Sequence, residues 1–319
     1  MTPAYVVIRM KMKKGQSLDF LFISGTGALA WSIVALSAVL VYQLVRTSMP
    51  SIHAFGWHFL VSSEWDAVKE HFGILPVIYG TLISSLVALI IAVPLSLGIA
   101  IYLAELAPLW LRAPLGFMIE LLAAIPSVIY GLWGIFVLAP FLRNFIQPFL
   151  GKYLGFLPFF QGPNYGVGML AAGVILSIMI IPTITSISRE VFATTPTSLK
   201  EAAFAIGATR WEMIRLVLLP YGQSGVLGAV ILGLGRALGE TMAVTMVIGN
   251  RPDISISLFA PGYTMASIIA NEFAEATSNL YVSALMEIAL ILFVLTLLVN
   301  IIARALVWSV SHKLEGGAA

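Results

Sequence analysis

Residues 200–210 read KEAAFAIGATR, a polar stretch that lies between two apolar runs of membrane-spanning length. Threonine, proline and serine residues at 195–198 favour a helix start just before it, and the carboxylate of Glu201 lies near the positive end of that helix. Gly207 can adopt the left-handed conformation that reverses the chain. The stretch therefore predicts two short helices joined by a glycine turn and followed by a stop at Leu219-Pro220, a form that suits docking onto a soluble partner.

The composition around this stretch is that of an integral membrane protein. Hydrophobic residues make up 60% of the chain and charged residues 10%, with a mean hydropathy of +0.99, whereas about a quarter of the residues of soluble domains are charged. The net charge of +2 gives no argument for nucleic acid. The sequence has no cysteine, which excludes disulfides, thiolate metal sites and cysteine nucleophiles.

Six apolar stretches reach the roughly 20 residues that a transmembrane helix needs. We expect an all-α fold whose spans lie near residues 20–45, 77–103, 115–142, 167–188, 225–248 and 281–307. The first stretch is too long for a signal-peptide core and should remain as an anchor. Pro94, Pro126 and Pro182 are expected to interrupt three of the spans.

The distribution of Lys and Arg predicts the orientation, because cytoplasmic loops carry more of them. The amino tail, the second connection, the loop at 189–222 and the carboxyl end together hold eleven, and the opposite face holds five. Both termini are therefore expected in the cytoplasm. The predicted organisation is a cytoplasmic amino tail (1–19), an anchor (20–45), an extracytoplasmic loop (46–76), a membrane core (77–308) that contains the polar loop 189–222, and a cytoplasmic carboxyl tail (309–319).

Two charged residues, Arg236 and Glu240, lie inside the predicted fifth span and are four residues apart, so they are expected to share one helix face. A charge near mid-membrane costs roughly 2.5–3.5 kcal/mol and usually marks a pathway or a paired site. Two interpretations stay open: a substrate pathway, for which Arg236 suggests an anion, and a buried salt bridge that fixes two helices together.

The extracytoplasmic segments are less informative. Three histidines in residues 48–76 lack a compact ligand spacing, so no metal site is expected. Asn271, Glu272 and Glu275 are expected on an external surface that could receive a binding protein. A solvated loop without a partner is the alternative.

The polar stretch resembles the EAA loop of ABC-transporter permease subunits, whose pattern is Glu-Ala-Ala, three residues, Gly, nine residues and Ile-x-Leu-Pro. The spacing fits throughout, with Val217 in the place of Ile. The resemblance implies a type I ABC importer permease fold with a cytoplasmic coupling loop. It also implies a set of residues that couple to an ATPase: Glu201, Ala202, Ala203, Gly207, Leu219 and Pro220.

Three further stretches, GLGRALGETMAV at 233–244, AIPSVIYGLWG at 124–134 and NEFAEA at 271–276, resemble the permeases of phosphate-specific ABC transporters, and the PstC type more than its PstA partner. This resemblance implies a permease subunit of an ATP-driven importer of inorganic phosphate in the bacterial inner membrane. The implied partners are a PstA-like second permease subunit, a dimer of ATP-binding subunits and an extracytoplasmic phosphate-binding protein, besides membrane lipid.

The chain has no G-x-x-x-x-G-K-[ST] sequence, so ATP and Mg are expected on a separate ATPase. We expect no cofactor on this chain and no enzymatic activity of its own. A permease for sulfate, molybdate or phosphonate is the first alternative. A secondary transporter is the second, although it would not need a docking loop. An intramembrane enzyme is disfavoured because the spans contain no histidine, no cysteine and no close pair of aspartates.

Overall fold

The computed structural model describes residues 14–315, which are helical over most of their length. The predicted tail residues 1–13 and 316–319 lie outside the described residues. In chain order the elements are α1 (Lys14–Phe55), α2 (His58–Val61), β1 (Trp65–Asp66), β2 (His71–Phe72), α3 (Leu75–Ile101), α4 (Leu109–Ala124), α5 (Ser127–Trp133), α6 (Ala139–Phe141), α7 (Gln147–Leu154), α8 (Met169–Ala193), α9 (Thr197–Ala205), α10 (Arg210–Met213), α11 (Leu219–Gly239), α12 (Met242–Val247), α13 (Met265–Glu272) and α14 (Asn279–Glu315).

The two strands form a short antiparallel hairpin in which Trp65 lies opposite Phe72. The rest of the described chain forms helices, turns and loops. The expectation of an all-α membrane protein is therefore confirmed.

Six helical runs are long and apolar enough to cross a membrane: Leu21–Phe55, Leu75–Leu106, Ser127–Leu154, Met169–Ala193, Arg210–Gly239 and Asn279–Ala305. Their number matches the prediction. The third run begins at Ser127, about twelve residues after its predicted start, because the chain leaves the helix at Ile125. The fifth run begins about fifteen residues before its predicted start, because the helix from Arg210 continues through Leu219 and Pro220, and it ends where the chain leaves the helix at Glu240. Ile125 and Glu240 have nearly the same extended conformation, with φ −68° and ψ 127° at Ile125 and φ −69° and ψ 127° at Glu240.

The prolines behave differently from the prediction. Helix α3 continues through Pro94 and α8 continues through Pro182, so the expectation that these prolines interrupt their spans is wrong. Pro126 does mark a break, at the start of α5. Interior prolines are tolerated in membrane helices because neighbouring groups can satisfy the freed carbonyls.

Four π-helical turns are each followed by a proline two residues later. The turns are Tyr102–Leu106, Gly134–Leu138, Leu142–Ile146 and Ile214–Leu218, and the prolines are Pro108, Pro140, Pro148 and Pro220. In each case the residue before the proline donates its N–H to the carbonyl five residues earlier. The wider turn makes room for the pyrrolidine ring, which an α turn would press against the carbonyl four residues back.

This pairing of π turn and proline corrects the predicted stop at Leu219-Pro220. The helical run that begins at Arg210 passes through both residues and ends at Gly239. The second short helix of the polar loop, α10, and the fifth span are therefore parts of one helical run.

The described chain divides into two compact units, one up to Thr47 and the other from Ser48 onward. The first unit is the greater part of α1, and most of its large apolar side chains are exposed. The second unit contains the other helices. At its centre lies α8, whose Ile175, Ile180 and Ile184 are fully buried and which packs against α3 and α11. The absence of a Cβ at Gly173 allows the close approach of α3, since a Cβ there would lie 2.4 Å from Val87 Cγ1.

Candidate functional site

The polar stretch forms two short helices, α9 and α10, joined by a turn at Gly207, as predicted. Gly207 has φ +85°, and its N–H bonds to the carbonyl of Phe204 while that of Ala208 bonds to the carbonyl of Ala203. These two bonds close the end of α9 in the manner of a left-handed helix cap. We call residues 197–213 the coupling hairpin.

The starts of the two helices differ in how they are capped. Pro196 occupies the cap position of α9 and no side chain caps that end, so the expected cap by a threonine or serine is not formed. At α10 the Thr209 hydroxyl accepts from the N–H of Glu212, whose carboxylate accepts from the N–H of Thr209. This capping box was readable from the T-x-x-E pattern and was missed.

The coupling hairpin is attached to the second unit by a small apolar cluster. Ala203, which is 9% exposed, belongs to a cluster with Met213, Leu218, Phe192 and Ala100. An alanine suits this position because a larger side chain would hold α9 away from the helices beneath it. The second residue of the Glu-Ala-Ala triplet, Ala202, is exposed. Ala203 therefore lies on the packed side of α9, and Ala202 lies on its exposed side.

An ion pair adds to this attachment. Lys200 Nζ contacts Glu105 Oε1, and the side chains are 17% and 15% exposed. Glu105 lies in the π turn that ends the second span, so the pair joins the second and fourth connections of the chain. No local sequence pattern indicates this pair, because the two residues are 95 positions apart.

The exposed surface of the hairpin combines apolar side chains with two acidic residues, Glu201 and Glu212, and with Arg210. Glu201 is exposed, as are Phe204 at 45% and Ile206 at 87%. Leu219 and Pro220 are half-buried in the helical run that follows. Of the six predicted coupling residues, Glu201, Ala202 and Gly207 are exposed. Ala203 is buried, and Leu219 and Pro220 are half-buried.

Arg236 and Glu240 do not share a helix face. Helix α11 ends at Gly239, so Glu240 belongs to the break, where its Oε1 accepts from the N–H of Ala243 at 3.3 Å and caps α12. The half-buried Arg236 donates from Nη1 to Thr183 Oγ1 at 3.3 Å. Within residues 14–315 no carboxylate forms an ion pair with Arg236, so the expected Arg236–Glu240 geometry is wrong.

The two stretches at 124–134 and 233–244 lie together in the structure, because α5 packs against α12. A Cβ on Gly131 would lie 2.4 Å from Met246 Sδ and 3.2 Å from Ala243 Cα. The glycine therefore allows the two short helices that follow the breaks to come into close contact. The stretches 124–134 and 233–244, which contain both breaks and Arg236, thus form one region, which we call the broken-helix region.

On the opposite side from the coupling hairpin, Glu272 is the acceptor for three donors. Its carboxylate accepts from Trp65 Nε1 at 2.7 Å, from the Tyr281 hydroxyl at 2.5 Å and from the Tyr263 hydroxyl at 3.3 Å. Burial raises the pKa of Tyr263, so its phenol stays a donor. Glu272 therefore holds the hairpin β1–β2 to α13 and α14, whereas Glu275 is exposed.

Comparison with known proteins agrees with this architecture. Residues 96–312 match the model of the family described as "Binding-protein-dependent transport system inner membrane component". The solved structure of a bacterial alginate ABC transporter, in complex with an alginate-bound periplasmic protein, contains a chain that aligns with a TM-score of 0.61 at 16% identity, covering 92% of this chain and 96% of that one. An inward-facing structure of the MetNI methionine ABC transporter aligns with a TM-score of 0.52 at 20% identity, over 75% of this chain and 94% of that one. Both likenesses concern the fold alone.

Relatives of much higher identity carry one name, phosphate transport system permease protein PstC. The protein of Mesorhizobium japonicum is 50% identical over 299 residues, which cover 92% of this chain and 91% of the relative. That of Haemophilus influenzae is 50% identical over 294 residues, covering 91% of this chain and 93% of the relative. The coupling hairpin and the broken-helix region both lie in the family match. The chain therefore belongs to the family of binding-protein-dependent transport system inner membrane components, and within that family to the PstC group of phosphate transport permeases.

Proposed function

We propose that this chain is one of two permease subunits of an ATP-driven importer of inorganic phosphate in the bacterial inner membrane. The observation that carries the proposal is the identity of 50% over nine-tenths of the chain to permeases named for phosphate transport. The partners would be a PstA-like permease subunit, two ATP-binding subunits and an extracytoplasmic phosphate-binding protein. The half-buried Arg236 supports an anionic substrate.

Arg236 is proposed to contact the anion in the pathway. Its guanidinium carries several donors in a fixed fork that matches the oxygens of an oxyanion. The described residues give it a hydroxyl partner, Thr183, and no carboxylate partner, so its charge is available to a passing ion. Thr183 would orient the side chain without neutralising it.

Glu240 is proposed to act on the pathway through the broken helix. Its carboxylate caps α12 directly after the break, where a negative charge is favoured at the helix start. Movement of α12 would move Glu240 relative to Arg236. A carboxylate nearer to Arg236 would compete with the anion and help to release it.

The coupling hairpin is proposed to seat in a groove of the ATP-binding subunit, which would hold ATP and Mg. Its exposed face presents Phe204 and Ile206 for apolar contact and Glu201 for a polar one. The cluster beneath Ala203 and the Lys200–Glu105 pair make the hairpin move together with the ends of α3 and α8. Closure of the ATPase would thereby be transmitted to the spans.

We propose that both termini and the coupling hairpin face the cytoplasm. An even number of spans would return the chain to its starting side, and the Lys200–Glu105 contact supports a common side for the second and fourth connections. The excess of Lys and Arg on that side supports a cytoplasmic location.

Uptake of labelled phosphate by proteoliposomes that contain the complete transporter tests the substrate. Sulfate, molybdate and a phosphonate are added as competitors with the matching binding protein present. Inhibition by unlabelled phosphate alone supports the proposal. Stronger inhibition by another oxyanion would assign the chain to that substrate, and uptake without ATP would favour a secondary transporter.

A further inference from the structure

One side of α8 carries a row of three half-buried polar residues, Thr183, Ser186 and Arg189. Residues three apart are neighbours on a helix surface, so the three form one continuous ridge. The intervening Ile184, together with Ser188, is fully buried. The ridge extends from Thr183 to Arg189, which is about 9 Å along the helix axis.

Each end of this ridge has an arginine. At one end Arg236 donates to the Thr183 hydroxyl at 3.3 Å, and the Ser186 hydroxyl bonds to the carbonyl of Thr183 at 3.2 Å. At the other end lies Arg189, four residues before α8 ends at Ala193. Arg189 is therefore nearer than Arg236 to the coupling hairpin.

The guanidinium of Arg189 lies in a notch that Gly116 of α4 leaves open. A Cβ at Gly116 would come within 2.4 Å of Arg189 Nη1. The notch fixes the position of the side chain, which is still 31% exposed. A fixed and partly exposed guanidinium is suited to binding an oxyanion, because little side-chain freedom is lost when the ion arrives.

Glu120 is the acidic group beside Arg189, and the contact between them is long. Glu120 Oε1 lies 3.8 Å from Arg189 Nη2, and the Glu120 side chain is 64% exposed. Charge-assisted hydrogen bonds between such groups are typically about 2.7–2.9 Å. At this distance the carboxylate attracts Arg189 without occupying its donors, which leaves them for another acceptor.

We propose that Arg189 is a second oxyanion-binding residue of the pathway, on the coupling-hairpin side of Arg236, and that the hydroxyls of Thr183 and Ser186 guide the ion between the two arginines. This inference rests on the proposed function. Two moderate sites, one at each end of the ridge, let the anion cross the middle of the membrane without one site that traps it.

The test measures phosphate uptake and binding-protein-stimulated ATP hydrolysis by the complete transporter in proteoliposomes. Arg189→Gln is expected to lower uptake at least tenfold while the stimulated hydrolysis stays within twofold, because the coupling hairpin is unchanged. Arg189→Lys should keep part of the uptake, since the charge remains and the fork is lost. Glu120→Gln is the matched control, because it removes the ion pair and keeps the cation, and its uptake should stay within twofold of wild type.

A structural ion pair predicts a different pattern, in which Glu120→Gln is as harmful as Arg189→Gln. That pattern, or unchanged uptake by Arg189→Gln, would overturn the proposal. If Arg189→Gln does not assemble into the transporter, Ser186→Ala is tested in its place. Its phosphate uptake is expected to be about threefold below wild type. Unchanged uptake by Ser186→Ala would contradict the proposal. If phosphate is not the substrate, the wild-type transporter itself will not take up phosphate, so this outcome is distinguishable from failure of the Arg189 proposal. Uptake by the same variants would then be measured with the oxyanion that the wild type does transport.

Discussion

Lys200 of α9 and Glu105 at the end of the second span form an ion pair whose side chains are only 17% and 15% exposed. The pair joins the helix that carries the Glu-Ala-Ala triplet to a span that is remote in sequence. It therefore belongs to the attachment of the coupling hairpin, whereas the outer face of the hairpin stays free for a partner.

Replacing Lys200 by Met should destabilise the hairpin, because the Glu105 carboxylate is left without its partner in a place of low exposure. Breaking a fully buried pair costs about 3–5 kcal/mol, and this partly buried one should cost less. We expect a lower thermal midpoint of the purified subunit and weaker stimulation of ATP hydrolysis. Lys152→Met, at an exposed lysine, is the control and should change neither. Equal effects of the two variants would contradict the role of the pair.

Gly207→Val should impair coupling through the backbone alone. Gly207 has φ +85°, and a Cβ added there would meet no atom within 4 Å, so crowding plays no part. A β-branched residue is strained in this region by at least about 1–2 kcal/mol. Stimulated ATP hydrolysis and uptake should fall while the subunit still inserts.

Gly207→Asn separates this effect from other consequences of substitution, since asparagine tolerates positive φ. It should keep most of the activity. A Val variant that is as active as the Asn variant would remove the conformational argument.

Two glycines of the 233–244 stretch should respond oppositely to alanine. A Cβ on Gly233 would lie 2.8 Å from Cγ1 of the fully buried Ile184, whereas one on Gly235 would meet nothing within 4 Å. Gly233→Ala should destabilise the isolated subunit by about 1–3 kcal/mol, and Gly235→Ala should be neutral or stabilising by up to about 1 kcal/mol. Thermal unfolding in detergent measures both. A loss of transport by Gly235→Ala with normal stability would indicate a contact with another subunit.

Arg236→Gln should abolish phosphate uptake without preventing assembly, because the charge and the donor fork are both lost. Arg236→Lys should keep a small part. Thr183→Val keeps the arginine and removes its hydroxyl partner, so uptake should fall several-fold and remain measurable. Uptake by Arg236→Gln at the wild-type rate would remove Arg236 from the pathway.

Exchange of the charges, Arg236→Glu with Glu240→Arg, tests the alternative of a structural pair. The two residues form no ion pair within the described part of the chain, and Glu240 is bonded to the N–H of Ala243. We therefore expect no rescue. Restored uptake would favour the structural pair.

The orientation is tested by single cysteines at two exposed positions, Ser63 and Arg210, in this cysteine-free chain. Ser63→Cys should react with an impermeant maleimide in intact cells. Arg210→Cys should react only after the membrane is opened. Labelling of both from outside would contradict cytoplasmic location of the coupling hairpin.

The number of spans and the coupling hairpin could be predicted because apolar length and local glycine chemistry are properties of short stretches of sequence. The break at Glu240 could not, because no proline lies beside it. The break at Ile125 is indicated by Pro126, since the residue before a proline favours an extended conformation, but the predicted third span runs across it. The fifth span begins earlier than predicted because the helix from Arg210 continues through Leu219 and Pro220.

The residues of the candidate site could be named from the sequence, but their spatial arrangement could not be predicted. The rule that residues four apart share a face holds only in a continuous helix, and α11 ends one residue before Glu240. The partners that matter for Arg236, Arg189 and Lys200 come from distant segments, namely Thr183, Gly116 and Glu105. A single sequence does not reveal such pairings.

Each π turn inserts one residue into its helix, and this has a consequence for how the sequence can change over evolutionary time. One extra residue rotates everything beyond it by about 100° relative to an uninterrupted α-helix. Deleting a residue within Ile214–Leu218 would thus turn Gly233 away from Ile184 and bring the ring of Pro220 against a carbonyl. Each proline and the extra residue of its π turn are therefore expected to be gained or lost together among descendants of this gene. In an alignment of such sequences, the loss would be seen as a one-residue gap beside a position where the proline is replaced.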